Sequence, residues 1–89
     1  MRQIIQTSRF KRDYKKIASC GRYDGADFLE IVELLAQDKP LAIKHRDHAL
    51  GGEWQGFREC HIKPDWLLIY QKHDKKLILV RTGSHSELF

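Results

Sequence analysis

Eighty-nine residues leave room for a single domain spanning 1–89, and 42% hydrophobic with 31% charged residues is the balance of a soluble globular chain. Sixteen Lys and Arg against twelve Asp and Glu give a formal charge of +4, which suits nucleic acid or an acidic protein as partner. No apolar run approaches the roughly 20 residues of a membrane span, and the N-terminus has no secretory core, so membrane and secreted classes are set aside.

A chain of this size buries only about 60–65% of the surface its unfolded form exposes, so marginal stability and help from a partner are expected. Cys20 and Cys60 lie far apart and in no metal-ligand spacing, as reduced thiols of a cytoplasmic protein would.

In chain order, residues 2–6 read as a first strand, and Thr7-Ser8 offers a hydroxyl to cap a helix. Phe10, Tyr14, Ile17 and Ala18 then recur at helical spacing, with Arg9, Lys11, Arg12, Lys15 and Lys16 between them. That basic outer face is either simply solvated or contacts phosphates. Gly21 ends this helix. Asp24 or Asp27 caps a second, expected to run to about Lys39, with Phe28, Ile31, Val32, Leu34 and Leu35 buried and Pro40 as the stop. The two helices should pack as an α-hairpin on the sheet.

Residues 41–53 form a charged, Gly-containing connection with room for little more than one turn, carrying His45, Asp47 and His48. A strand is expected from near Trp54. It should turn back through Lys63-Pro64-Asp65, because Pro fixes φ and Asp tolerates turn geometry. The following run, Trp66 to Tyr70, is apolar without alternation, as in a central strand covered on both faces. Residues 75–82 make the last strand, and simple alternation puts Leu77, Leu79 and Arg81 on one face and Ile78, Val80 and Thr82 on the other. Gly83 breaks it before a short tail to Phe89. The order β-α-α-β-β-β predicts an α+β fold, an antiparallel-rich twisted sheet with the α-hairpin on one face.

His48, His61 and His85 come from a loop, a strand end and the tail, and Asp65 and Arg81 join them if neighbouring strands bring the rims together. His61 and Asp65 flank one corner, so their side chains are expected to meet. Cleaving RNA through its own 2′-OH needs a base, an acid and a cation at the phosphate. Histidine suits both proton roles, with an ordinary pKa of about 6.5, and Arg matches phosphate with a permanent charge. Such a kit needs no metal. The histidines also have the chemistry of zinc ligands, but no i, i+4 pair or C-x-x-C knuckle is present, so no metal or cofactor is expected. Taken singly, each residue also has a structural use: a polar strand position, a turn, a surface ion pair.

The pattern H-x-L-x-G-x-W-x-G-x-R-x-x-H-I-x-x-D-W-x-L-I-Y from His48 to Tyr70, with R-T-G-S-H-S-x-L-F from Arg81 to Phe89, resembles the YafQ-type toxins of the RelE/ParE superfamily. The resemblance covers the second half with matching spacing and the strand–helix–helix lead-in more loosely. It implies a microbial-ribonuclease-like fold and a ribosome-dependent mRNA endonuclease neutralised by a cognate antitoxin. By that resemblance His48, His61, Asp65, Arg81 and His85 fall on catalytic positions and Phe89 on a substrate-binding one. His85 would be the general acid and His48 the base, His61 and Asp65 would hold the attacking nucleotide, Arg81 would stabilise the phosphorane, and Phe89 would stack on an mRNA base. Arg9, Lys11, Arg12, Lys15 and Lys16 become candidates for ribosomal RNA contact. Expected partners are an antitoxin, the ribosome and mRNA, with no membrane. Two other readings are a toxin-fold inhibitor of a protein such as a topoisomerase, a branch that does not depend on a histidine cluster, and a non-catalytic module that only binds antitoxin.

Overall fold

The middle of the molecule is a five-stranded twisted sheet with two helices laid across one face. The computed structural model describes residues 1–21 and 23–89; the side chain of Cys20, and with it the thiol expected there, lies outside the described part. The strands are β1 (Gln3–Gln6), β2 (His48–Ala49), β3 (Arg58–Lys63), β4 (Trp66–His73) and β5 (Lys76–Gly83), and the helices α1 (Ser8–Cys20), α2 (Gly25–Ala36) and α3 (His85–Leu88). Their order across the sheet is β1-β5-β4-β3-β2. β1 runs parallel to β5, and the other neighbours are antiparallel. No helix among the described residues is long and apolar enough to cross a membrane.

Local chemistry sets the helix ends. Thr7 Oγ1 accepts from the Phe10 N–H at 3.0 Å, which satisfies one of the unpaired amides of the first turn of α1. Gly21 closes α1 in the left-handed region at φ 69°. Asp24 Oδ1 caps α2 through the Ala26 N–H at 2.9 Å. That helix ends at Ala36, short of the expected Lys39. Asp38 turns left-handed at φ 58°, and its Oδ1 takes Arg2 Nε and Lys72 Nζ, each at 2.9 Å. These bonds draw the chain out of the helix before Pro40 is reached.

β4 is buried on both faces, as its sequence predicts. Trp66, Leu68 and Tyr70 pack under Phe10, Ile17, Phe28, Ile31, Val32 and Leu35 of the helices. Leu67 and Ile69 point the other way, into a small cluster with Leu88, Trp54 and Phe57. Tyr70 donates its hydroxyl hydrogen bond to Asp47, and burial is the main reason its pKa is pushed far up.

Three expectations need correction. Residues 41–53 hold more than one turn: 3-10 turns at Ile43–His45 and Gly52–Trp54 flank the two-residue β2. The strand expected from Trp54 starts only at Arg58, because Gly52 and Gly56 at φ 61° and 92° curl residues 50–57 into a loop closed by the Leu50 N–H on Phe57 O at 2.9 Å. Simple alternation fails in β5: the register shifts between Ile69↔Arg81 and Tyr70↔Leu79, so Val80 is an extra residue in the ladder. Beyond this bulge every residue changes sides. Thr82 joins the helix face opposite Leu68, and Arg81 stands opposite Ile69.

Candidate active site

Period-2 alternation puts Glu59 and His61 of β3 on the sheet face away from α1 and α2, while Cys60 and Ile62 enter the core. β2 adds His48 directly opposite Glu59. Glu59 Oε1 lies 3.3 Å from His61 Nε2 and 3.8 Å from His48 Nε2. Glu59 is only 5% exposed, so the two histidines take the place of solvent around its carboxylate. The far ring nitrogens are engaged too: His61 Nδ1 faces Pro64 O at 3.3 Å, and His48 Nδ1 faces Arg46 O. A carbonyl only accepts, so each Nδ1 donates to it, and each Nε2 faces the Glu59 carboxylate, which it bonds only when it too carries a proton.

His85 opens α3, a single turn that starts where Gly83 leaves the sheet. Its ring centroid lies 5.5 Å from that of His61. Asp65 Oδ1 accepts from the His85 backbone N–H at 3.2 Å and lies 3.4 Å from its Nδ1. Asp65 thus serves His85; the expected meeting of its side chain with His61 is replaced by the backbone of the same turn. His85 and Asp65 are both open, with side chains 57% and 61% exposed. Phe89, 59% exposed, stands edge-on to Trp54 at 6.2 Å on the same side.

Arg81 is held from α1. Its Nε and Nη2 donate to Asp13 Oδ2 and Oδ1 of α1 at 2.9 and 3.1 Å, a two-pronged pair. The hydrogen bond and the negative charge of Asp13 raise the guanidinium pKa further. Around this pair Arg9, Arg12 and Lys16 line a groove. Lys11 and Lys15 are exposed elsewhere on α1. The expected cations therefore divide, and Arg81 stands with those of the helix.

α3 is held by a capping box. Ser84 N–H and Ser84 Oγ both donate to Glu87 Oε1 at 3.0 Å, and Lys16 Nζ lies 3.4 Å from Oε2. These bonds, the Ser84 N–H first, hold the Glu87 carboxyl below its ordinary 4.5. A pKa lowered on folding adds stability above the unfolded value and loses it as pH falls through the folded one. The wild type is therefore expected to lose melting temperature more steeply than Glu87→Gln between about pH 5 and pH 3. Gln keeps the cap without titrating; parallel curves would show that the cap does not titrate.

Sequence reasoning missed Glu59 and Asp13 as members of this region. Glu59 had a signal, the same strand parity as His61. Asp13 had none, since its partner lies 68 residues away. His45 of the 41–53 connection is half-buried and donates from Nδ1 to His61 O at 2.7 Å, pinning that loop to β3.

A two-helix layer on one side of the sheet and an open histidine face on the other define a small α+β domain with a surface site built for proton transfer. The sequence model of the YafQ family, bacterial toxins of type II toxin–antitoxin systems, matches residues 2–89. The chain belongs to this YafQ family. It is 37% identical over 89 residues to the mRNA interferase toxin YafQ of Escherichia coli K12, covering 99% of this chain and 96% of that protein. A metal-bound toxin from Helicobacter pylori is 45% identical, superposes with a TM-score of 0.90 and is covered fully, as is this chain. YafQ in the E. coli DinJ–YafQ complex is 37% identical with a TM-score of 0.87, covering 100% of this chain and 99% of that one.

Proposed function

We propose that this chain is a single-domain cytoplasmic endoribonuclease that cuts mRNA in the ribosomal A site and is neutralised by a cognate antitoxin. The observation that carries the reading is the joined histidine face: His48 and His61 share Glu59, and His85 lies beside His61 with Asp65 at its back. Family membership and the mRNA interferase named among its relatives support it.

In this reading His48 takes the proton of the 2′-OH, whose oxygen attacks the adjacent phosphorus. The P–O5′ bond breaks, and His85 gives its proton to the departing 5′-oxygen. The products are a 2′,3′-cyclic phosphate and a free 5′-hydroxyl. His61 and Asp65 hold the attacking nucleotide, Arg81 balances charge on the phosphorane, and Phe89 stacks on a base. Arg9, Lys11, Arg12, Lys15 and Lys16 contact ribosomal RNA phosphates, an interaction that weakens with salt. No metal enters these steps.

Divalent metal is a second reading of the same face, as an inhibitor. Ligand atoms of Glu59, His61 and His85 all lie within 4.8 Å of one another, and the related H. pylori toxin is metal-bound. Linear spacing hides this group because its members come from two elements far apart in sequence. An ion held there would take up His85, the proton donor of these steps, together with His61 beside it.

One experiment addresses both. Primer extension on a defined mRNA in a reconstituted translation system should show cuts only when ribosomes are present. Zinc should suppress the cuts and a chelator restore them. Cuts in naked RNA would remove the ribosome from the mechanism, and indifference to zinc would remove the metal. No cleavage by folded protein would favour a binding-only or topoisomerase-directed toxin.

A further inference from the structure

Among the ion pairs of the described residues, the one between Arg81 and Asp13 sits where the chemistry and the supporting helix meet. Both side chains are 17% exposed. The Asp13 carboxylate takes the Nε and Nη2 donors of Arg81 and, at 3.3 Å, the backbone N–H of Thr82. Thr82 is itself locked: Trp66 Nε1 donates to its hydroxyl at 2.9 Å, and the hydroxyl donates to Leu67 O at 2.7 Å. One turn further along α1, Lys16 reaches Glu87 of the capping box. α1 therefore braces the whole segment from Arg81 to Glu87, which carries His85.

A guanidinium has five N–H donors in a rigid plane. Asp13 engages one edge, Nε with Nη2, so the end-on edge of Nη1 and Nη2 is left to meet a phosphate in the groove lined by Arg9, Arg12 and Lys16. An Arg on a bulge, without this pair, would sample many rotamers.

We propose that Asp13 is the positioning residue of this nuclease, fixing Arg81 for the RNA phosphate. This rests on the nuclease reading and extends it. Asp13 is also the one acidic side chain lining that groove, so it orients the catalytic cation while repelling the substrate it serves. Those two effects separate kinetically. Removing the charge should disorder Arg81 and lower kcat, while making the groove more attractive to RNA and lowering KM or leaving it unchanged.

The test is a cycle of Asp13→Asn, Arg81→Ala and the double variant, assayed for ribosome-programmed cleavage, with thermal melts of each. Asp13→Asn is expected to lose roughly 10- to 100-fold in kcat without a rise in KM, and to cost nothing further in the Arg81→Ala background. Asp13→Glu keeps the charge and should retain more kcat than Asn; it also serves if Asn melts below assay temperature. Equal losses in both backgrounds, or a raised KM with unchanged kcat, would overturn the positioning role in favour of a fold contact. An active wild type indifferent to Asp13→Asn overturns the positioning role alone. An inactive, folded wild type overturns the nuclease reading beneath it.

Discussion

His85→Ala is expected to lower cleavage by about 10²- to 10⁴-fold, the usual share of a well-placed acid or base, with the melting temperature almost unchanged. The reason is where the ring sits. His85 is more than half exposed, contributes nothing to either apolar cluster, and meets Asp65 at 3.4 Å on an open surface, where such a pair adds little stability. Its backbone N–H, which Asp65 also holds, survives the substitution. The check is a cleavage time course beside a melting curve and an antitoxin titration with the same preparation. Loss of cleavage with intact melting and intact antitoxin binding is the expected result. Parallel loss of all three would assign His85 to the fold.

Leu68→Ala should do the reverse. Leu68 is fully buried at the centre of β4, opposite Cys60 on one neighbour and Thr82 on the other, under the helices. Truncating a buried Leu costs about 2–5 kcal/mol, part transfer and part cavity. At 89 residues that is a drop in melting temperature of roughly 10–30 °C. A ligand that binds only the folded state restores stability by mass action, so saturating antitoxin should recover part of the loss. At low temperature, where the variant is folded, cleavage per folded molecule should match wild type, because Leu68 faces away from His48, Glu59 and His61. A drop of only a few degrees, or a change in kcat at low temperature, would contradict this separation of faces.

Stability and chemistry divide in this way because β4 is buried on both sides for different purposes. Trp66, Leu68 and Tyr70 serve the helical layer. Leu67 and Ile69 support the face on which the histidines stand, with Leu88 of α3 sealing the cluster. Glu59 is the polar exception on that face, accommodated by His48 and His61. Among the described residues, no buried side-chain nitrogen or oxygen lacks a hydrogen-bond partner.

By itself the sequence determined what depends on near neighbours. Thr7 as the first cap, Asp24 as one of the two residues offered for the second, Gly21 as a stop, the stripe of Phe28, Ile31, Val32 and Leu35 (Leu34, also expected there, stays partly exposed) and the unbroken apolar run of β4 are local choices of backbone and solvent. The family pattern from His48 to Phe89 was equally legible, because it is a matter of residue type at fixed spacing. Only the tertiary structure decided which of those residues meet. β1 lies parallel beside β5 across more than seventy residues of chain, which lets α1 set Asp13 against the end of β5. The bulge at Val80 reverses the faces of the last residues and brings Thr82 to the helix side, where its N–H and the Arg81 guanidinium both reach Asp13. Register and bulge follow from the packing of whole strands, so nothing near Arg81 in the sequence announces Asp13, 68 residues earlier, as its partner.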